Sequence, residues 1–126
     1  MTVCPFCSIA AEKIAAQDSL SFTIRDTLPV SPGHTLILPK RHIASIFQAT
    51  KDEVAALWEA VQQARNGLIR EYSPDGFNIG INDGLAAGQT ILHLHIHLIP
   101  RYQGDVPDPR GGIRWIFPDK AVYWKD

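Results

Sequence analysis

Three of the chain's five histidines fall within one short run, His93-Leu94-His95-Ile96-His97. On a β-strand every second side chain faces the same way, so three imidazoles share one face and Leu94, Ile96 and Leu98 enter the core behind them. A polar sheet face would explain the apolar partners but not the concentration of histidine. A single metal ion held by all three rings is strained. Same-face positions lie about 6.6–6.8 Å apart, so the outer rings stem from points roughly 13 Å apart. An ion bonds imidazole nitrogen at about 2.0–2.1 Å. Division of labour fits better: the middle ring does chemistry while its neighbours serve different sites. A second reactive group opens the chain, Cys4-Pro5-Phe6-Cys7. It reads as a redox pair, half of a zinc site, or two buried thiols. The redox reading lacks a thioredoxin-like βαβ pattern, and zinc needs two further ligands, commonly histidine.

These groups must be positioned by a small mixed fold. Pro5 to about Ala16 has near-helical spacing at Ile9, Ala10, Lys13 and Ile14 and predicts a short helix. Leu20, Phe22 and Ile24 alternate with Ser21, Thr23 and Arg25, the period of a half-buried strand. Leu28-Pro29-Val30-Ser31-Pro32-Gly33 is a loop, and His34 to Leu38 a second strand that Pro39 ends. Thr50 with Glu53 has capping-box spacing, and Val54, Leu57, Trp58, Val61, Leu68 and Tyr72 stripe a helix running to about Glu71. Ser73-Pro74-Asp75-Gly76 stops it. Phe77, Ile79 and Ile81 mark a third strand, Asp83 to Gly88 a loop, and Ile91 to Ile99 a fourth strand. Residues 102–126 read as an extended arm with a short strand at Ile113-Trp115-Phe117. The order predicts α+β, an antiparallel sheet with one short N-terminal helix and one long helix.

The chain's 126 residues, 45% apolar and 20% charged, make one domain with a real core. Twelve Lys+Arg against thirteen Asp+Glu give a net charge of -1 without a basic cluster, which argues against nucleic acid as a partner. No apolar run is long enough for a membrane-spanning helix. Met1 to Cys7 carries neither a basic region nor an apolar signal core, so the expectation is a cytoplasmic protein. Two cysteines build no disulfide framework.

Gly88-Gln89-Thr90, two residues, then His-x-His-x-His resembles the histidine triad (HIT) superfamily of nucleotide hydrolases and transferases. Asp26, Pro32-Gly33-His34, Pro39-Lys40-Arg41-His42 and Ile81-Asn82-Asp83-Gly84 match as well, and the resemblance runs from Cys4 to about Asp105. Leu98-Ile99-Pro100-Arg101 with Gly104-Asp105 is similar to the fragile-histidine-triad branch; the cysteine pair resembles the histidine-triad nucleotide-binding branch. The resemblance implies that His95 attacks an α-phosphate, with a backbone carbonyl near His93 holding its other N–H. An imidazole of near-neutral pKa is both nucleophile and leaving group for such a step. It further implies that His97 and His34 donate to phosphate oxygens, that Gln89, Thr90 and Asn82 contact phosphate or leaving group, and that Asp26 accepts from ribose hydroxyls. Phe6, Ile9, Ile24 and Leu36 match the purine pocket. Cys4, Cys7, His42 and His93 resemble a structural Cys2His2 zinc site, closed and therefore not water-activating. A homodimer is implied too.

Three functions follow: a purine-nucleotide hydrolase or transferase acting on dinucleoside polyphosphates, phosphoramidates or phosphoanhydrides through a nucleotidyl-histidine; a purine-nucleotide-binding regulator whose hydrolysis is incidental; and a histidine-ligated zinc metallohydrolase.

Overall fold

A computed structural model describes residues 4–126. Five strands form one antiparallel sheet in the order β1-β2-β3-β5-β4. They are β1 (Ile14–Gln17), β2 (Ser21–Arg25), β3 (Thr35–Pro39), β4 (Gly76–Gly80) and β5 (Ile96–Arg101). Because β5 lies between β3 and β4 and is antiparallel to both, β3 and β4 run the same way. Their connection must therefore cross the sheet, and α1 (Lys51–Tyr72) makes the crossing.

Local chemistry starts and stops α1 as the sequence predicts. The Thr50 hydroxyl accepts from Glu53 N–H at 3.1 Å, and a Glu53 carboxylate oxygen accepts from Thr50 N–H at 2.9 Å. Ser73 then takes the left-handed conformation, φ 51°, that ends the helix. Leu57, Val61 and Leu68 are buried, but Trp58 and Tyr72 of the expected stripe remain partly exposed, at 45% and 37%. Glu53 is the buried member that periodicity did not offer. It pairs with Arg41 at 2.7 Å, and that hydrogen bond holds its carboxyl well below the usual carboxylate range.

Strand alternation sorts the core onto two faces. Ile37, Ile96 and Leu98 pack under α1 with Ile43, Leu57, Val61, Leu68 and Leu94. Phe22, Ile24, Leu36 and Leu38 form the opposite face, covered by Phe6, Ile9 and Ile14. β2 is consequently covered on both sides, not half-buried. His97 pairs with Leu36, so it belongs to the face away from α1. Gly80 pairs with His97 from the other side and leaves open space where a side chain would stand.

Three expected elements differ. The N-terminal helix is only a 3-10 turn, Ala11–Lys13, after which Ile14–Gln17 joins the sheet edge as β1. The cause is Asp18: its carboxylate accepts from Leu20 N–H and Ser21 N–H at 2.7 and 2.8 Å, closing a hairpin that pairs Gln17 with Phe22. The fourth predicted strand starts at Ile96, not Ile91. Continuing its register with β3 would set Leu94 opposite Pro39, which has no N–H to donate. The arm contains no strand. Gly111 and Gly112, at φ 92° and 47°, turn it into a 3-10 segment, Gly112–Ile116, and a short helix, α2 (Pro118–Ala121). The arm braces itself through Arg110, which pairs with Asp126 at 2.8 Å and covers the Trp124 ring at 4.5 Å.

Candidate active site and metal centre

The bend at residues 91–93 carries His93, the two residues that join it to β5 include His95, and the start of β5 carries His97. Hydrogen bonds fix which nitrogen of each ring holds its proton. His95 Nδ1 lies 2.8 Å from the His93 carbonyl oxygen, which can only accept. The proton therefore sits on Nδ1, and Nε2 presents a lone pair. Val30 N–H donates to His34 Nδ1 at 3.1 Å, so the His34 proton is on Nε2. That N–H donates to His97 Nδ1 at 3.0 Å and leaves His97 with its proton on Nε2. His95 and His97 rings stand 5.1 Å apart between centroids. One imidazole thus offers a lone pair beside another offering an N–H. That pairing can attack an electrophile and bind the oxygen on which charge develops.

His34 is a correction to the expected phosphate donor. It is 3% exposed and both its nitrogens are committed, to Val30 and to His97. It sets the His97 tautomer and touches no open space with a free N–H. Burial pushes the pKa of His34 down, partly countered by Asp26, and burial followed by the neighbouring His95 and His34 charges pushes His97 down. Both rings are held neutral. Asp26 accepts from Leu28 N–H at 2.9 Å with one oxygen and stands 3.4 Å from His34 Nε2 with the other.

Gln89 also departs from its expected role. It is 4% exposed; its carbonyl accepts from Gly84 N–H, and its amide donates to Ala44 and Ile91 carbonyls at 2.9 and 3.1 Å. With all of that amide's reach spent on backbone, Gln89 pins the loop before the triad and offers phosphate nothing. Asn82 and Thr90 are exposed, one just past the β4 end that pairs with His97, the other in the loop leading to His93. The four expected pocket residues converge: Ile24 and Leu36 form the apolar floor, Phe6 and Ile9 pack over it. Phe6 meets the His95 ring edge-on at 5.2 Å. A groove of about 290 Å³ lies on the other face, between α1 and the β1–β2 hairpin, and contains no histidine or cysteine.

Cys4, Cys7, His42 and His93 come together, each ligand atom within 4.8 Å of the others. A zinc tetrahedron with the usual bond lengths has S···N edges of about 3.6 Å and N···N edges of about 3.3 Å. Here Cys4 and Cys7 Sγ each lie 3.6 Å from His93 Nδ1, Cys7 Sγ 3.2 Å from His42 Nδ1, and the two Nδ1 atoms 3.1 Å apart. His93 Nε2 donates to the Pro39 carbonyl at 2.9 Å, which turns the lone pair of Nδ1 toward the cluster. Spacing and tautomer both fit a closed structural zinc site. Asp26, His34 and His97 also converge, but there the tautomer is wrong. Val30 N–H occupies His34 Nδ1, so a cation on Nε2 would need a proton where another N–H already points.

Sequence reasoning missed the backbone groups that orient these rings, Val30 N–H and the Pro39 carbonyl. Their only signal was proline beside each histidine segment, which fixes the chain without saying where an amide points.

An antiparallel sheet thus carries a tautomer-locked histidine, its Nε2 lone pair free, beside an apolar floor. The chain belongs to the HIT family, whose domain model matches residues 9–104. It is 38% identical over 106 residues to adenylylsulfatase HINT3 of Arabidopsis thaliana, covering 81% of this chain and 54% of that protein. It is also 38% identical over 97 residues to a bis(5'-adenosyl)-triphosphatase of Dictyostelium discoideum, covering 77% and 65%. The chain thus spans less than two thirds of either relative. A zinc-bound histidine triad family protein from Mycobacterium smegmatis superposes with a TM-score of 0.73 at 33% identity, covering 83% of this chain and 84% of that one.

Proposed function

We propose that this chain hydrolyses or transfers a purine nucleotidyl group from a phosphoanhydride or phosphoramidate, through a nucleotidyl-His95 intermediate. The observation that carries it is the 2.8 Å bond from His95 Nδ1 to the His93 carbonyl, which leaves Nε2 free to attack. Nε2 forms a bond to the α-phosphorus and the bond to the leaving group breaks. Water then attacks the same phosphorus and the N–P bond breaks, returning the imidazole. His97 Nε2–H stabilises the phosphoryl oxygens in both steps. The names of the two relatives, an adenylylsulfatase and a bis(5'-adenosyl)-triphosphatase, support an adenosine 5'-phosphoryl group as the unit transferred. Acid-quenched mixtures with such substrates should yield a nucleotidyl-histidine on the peptide containing His95. Tight binding without any turnover would favour the regulatory reading instead.

Zinc, held by Cys4, Cys7, His42 and His93, braces the N-terminal segment against the triad, and no step of the reaction passes through it. Metal-replete protein should contain about one zinc per chain. Cys4→Ser and His93→Ala should release it and lower the Tm by several degrees, while Cys4→Ser keeps measurable hydrolysis. Elemental analysis showing no zinc would remove the metal from this reading.

The active species is a homodimer. β4 lies at the sheet edge with Ile79 exposed, and Trp58, Ile69 and Tyr72 leave apolar surface on α1. Sedimentation at micromolar concentration should give twice the 14.0 kDa chain mass; a monomer alone would count against it.

A further inference from the structure

We infer that Cys4 and Cys7 form an oxidative modification site, in which conversion of the pair to a disulfide expels the metal and weakens nucleotide binding through Phe6. The nucleotide part of this inference rests on the function proposed above; the thiol and metal part does not.

The two cysteines bracket a single turn, closed by Cys7 N–H donating to the Cys4 carbonyl at 3.2 Å. Pro5 at its second position fixes φ. A four-residue turn brings its end Cα atoms within about 7 Å, and disulfides span Cα separations of about 4.4–6.8 Å. The same turn therefore suits either bond. Both thiols are free, and Cys7 is exposed, so a dissolved oxidant can reach it. The two states exclude each other. Sulfurs sharing one tetrahedral zinc stand about 3.8 Å apart, whereas a disulfide draws them to about 2.05 Å.

A small disulfide such as oxidised glutathione is the co-reactant. The Cys7 thiolate attacks one of its sulfurs, forming a mixed disulfide and expelling one glutathione thiolate. The Cys4 thiolate then attacks the Cys7 sulfur and expels the second. The protein sulfurs are oxidised, glutathione is reduced, and zinc leaves as the aquo ion because both of its thiolate ligands are gone.

Phe6 carries the event to the nucleotide site. It is held between the two cysteines, its ring 6.1 Å from His93 and 5.2 Å from His95. Contraction of the turn and release of His93 both act on that ring. The exposed face of His95 and the roof over Ile24 and Leu36 change with it.

The test uses the full-length, zinc-reconstituted protein and oxidised glutathione. Intact mass should show loss of two hydrogens with no retained glutathione, and a zinc indicator should report one ion released per disulfide formed. AMP affinity, measured by calorimetry, should weaken by about tenfold, the equivalent of losing one aromatic contact. Reductant with zinc should restore all three. Phe6→Ala should oxidise and release zinc like the wild type while its already weaker AMP affinity stays unchanged. A stable mixed disulfide, zinc retained after oxidation, or unaltered AMP affinity in the oxidised wild type would overturn the inference. Reduced protein that binds no nucleotide at all would sink the proposed function, while the mass and zinc readouts would still decide the thiol site.

Discussion

Replacing His95 with asparagine is expected to abolish nucleotidyl hydrolysis while leaving nucleotide affinity within a few-fold of wild type. Asparagine can still donate toward the His93 carbonyl from the Nδ1 position, so the 2.8 Å bond that orients the side chain has a substitute. It has nothing in place of Nε2. The lone pair that attacks phosphorus disappears, and with it the covalent route, so kcat should fall by at least about 10⁴-fold. In the proposed function the ground-state contacts come from elsewhere, from His97 and from the floor of Ile24 and Leu36 with Phe6 packed over it. Single-turnover assays beside equilibrium binding separate the two effects. Near wild-type turnover in this variant would falsify the covalent mechanism. Loss of binding in step with loss of turnover would mean that His95 mainly shapes the pocket.

The constellation was legible in the sequence where one residue's identity fixes a local geometry. Alternation from His95 to Leu98 separates two imidazoles from the core, and the structure buries Ile96 and Leu98 completely; His93, ahead of the strand, is buried as fully as Leu94. Thr50 and Glu53 announce the helix start because a cap is a short-range hydrogen-bond pattern. What stayed illegible was decided by partners distant in sequence. Ile9, Ala10, Lys13 and Ile14 have near-helical spacing, yet Ile14–Gln17 gain more by pairing with β2 than by continuing a lone helical turn. The family resemblance places Gln89 against phosphate or leaving group. Its carbonyl and amide are instead taken by Gly84, Ala44 and Ile91, and the Ala44 contact comes from far along the chain. Trp115 lies in a segment that alternates like a strand, but its indole N–H donates to the Arg110 carbonyl at 2.8 Å inside a self-braced arm. Gly111 and Gly112, both at positive φ, turn the chain there away from an extended path.

His34 is the sharpest case, and its removal should affect catalysis nearly as much as removal of a catalytic group. His34→Ala leaves His97 Nδ1 without a donor, and nothing then holds the His97 proton on Nε2, where the phosphoryl oxygens are expected. A misplaced tautomer in a comparable histidine relay costs about 10⁴-fold, so a loss of about 10²–10⁴-fold, mainly in kcat, is expected here. His34→Gln keeps an amide N–H near the former Nε2 position and should recover at least about tenfold of that loss, an effect that simple destabilisation would not produce. The pH profile gives a second signature. Burial holds His34 and His97 below the ordinary histidine pKa, so their contribution to stability is complete above about 6.5 and is lost as pH falls, when the unfolded chain takes up protons first. Wild-type Tm should therefore drop between about pH 7 and 5. In His34→Ala one of these two buried neutral rings is gone and water reaches the other, so the fall in Tm across that range should be shallower. A loss of rate matched by the fraction unfolded, with no recovery in His34→Gln, would reduce His34 to a buried packing residue.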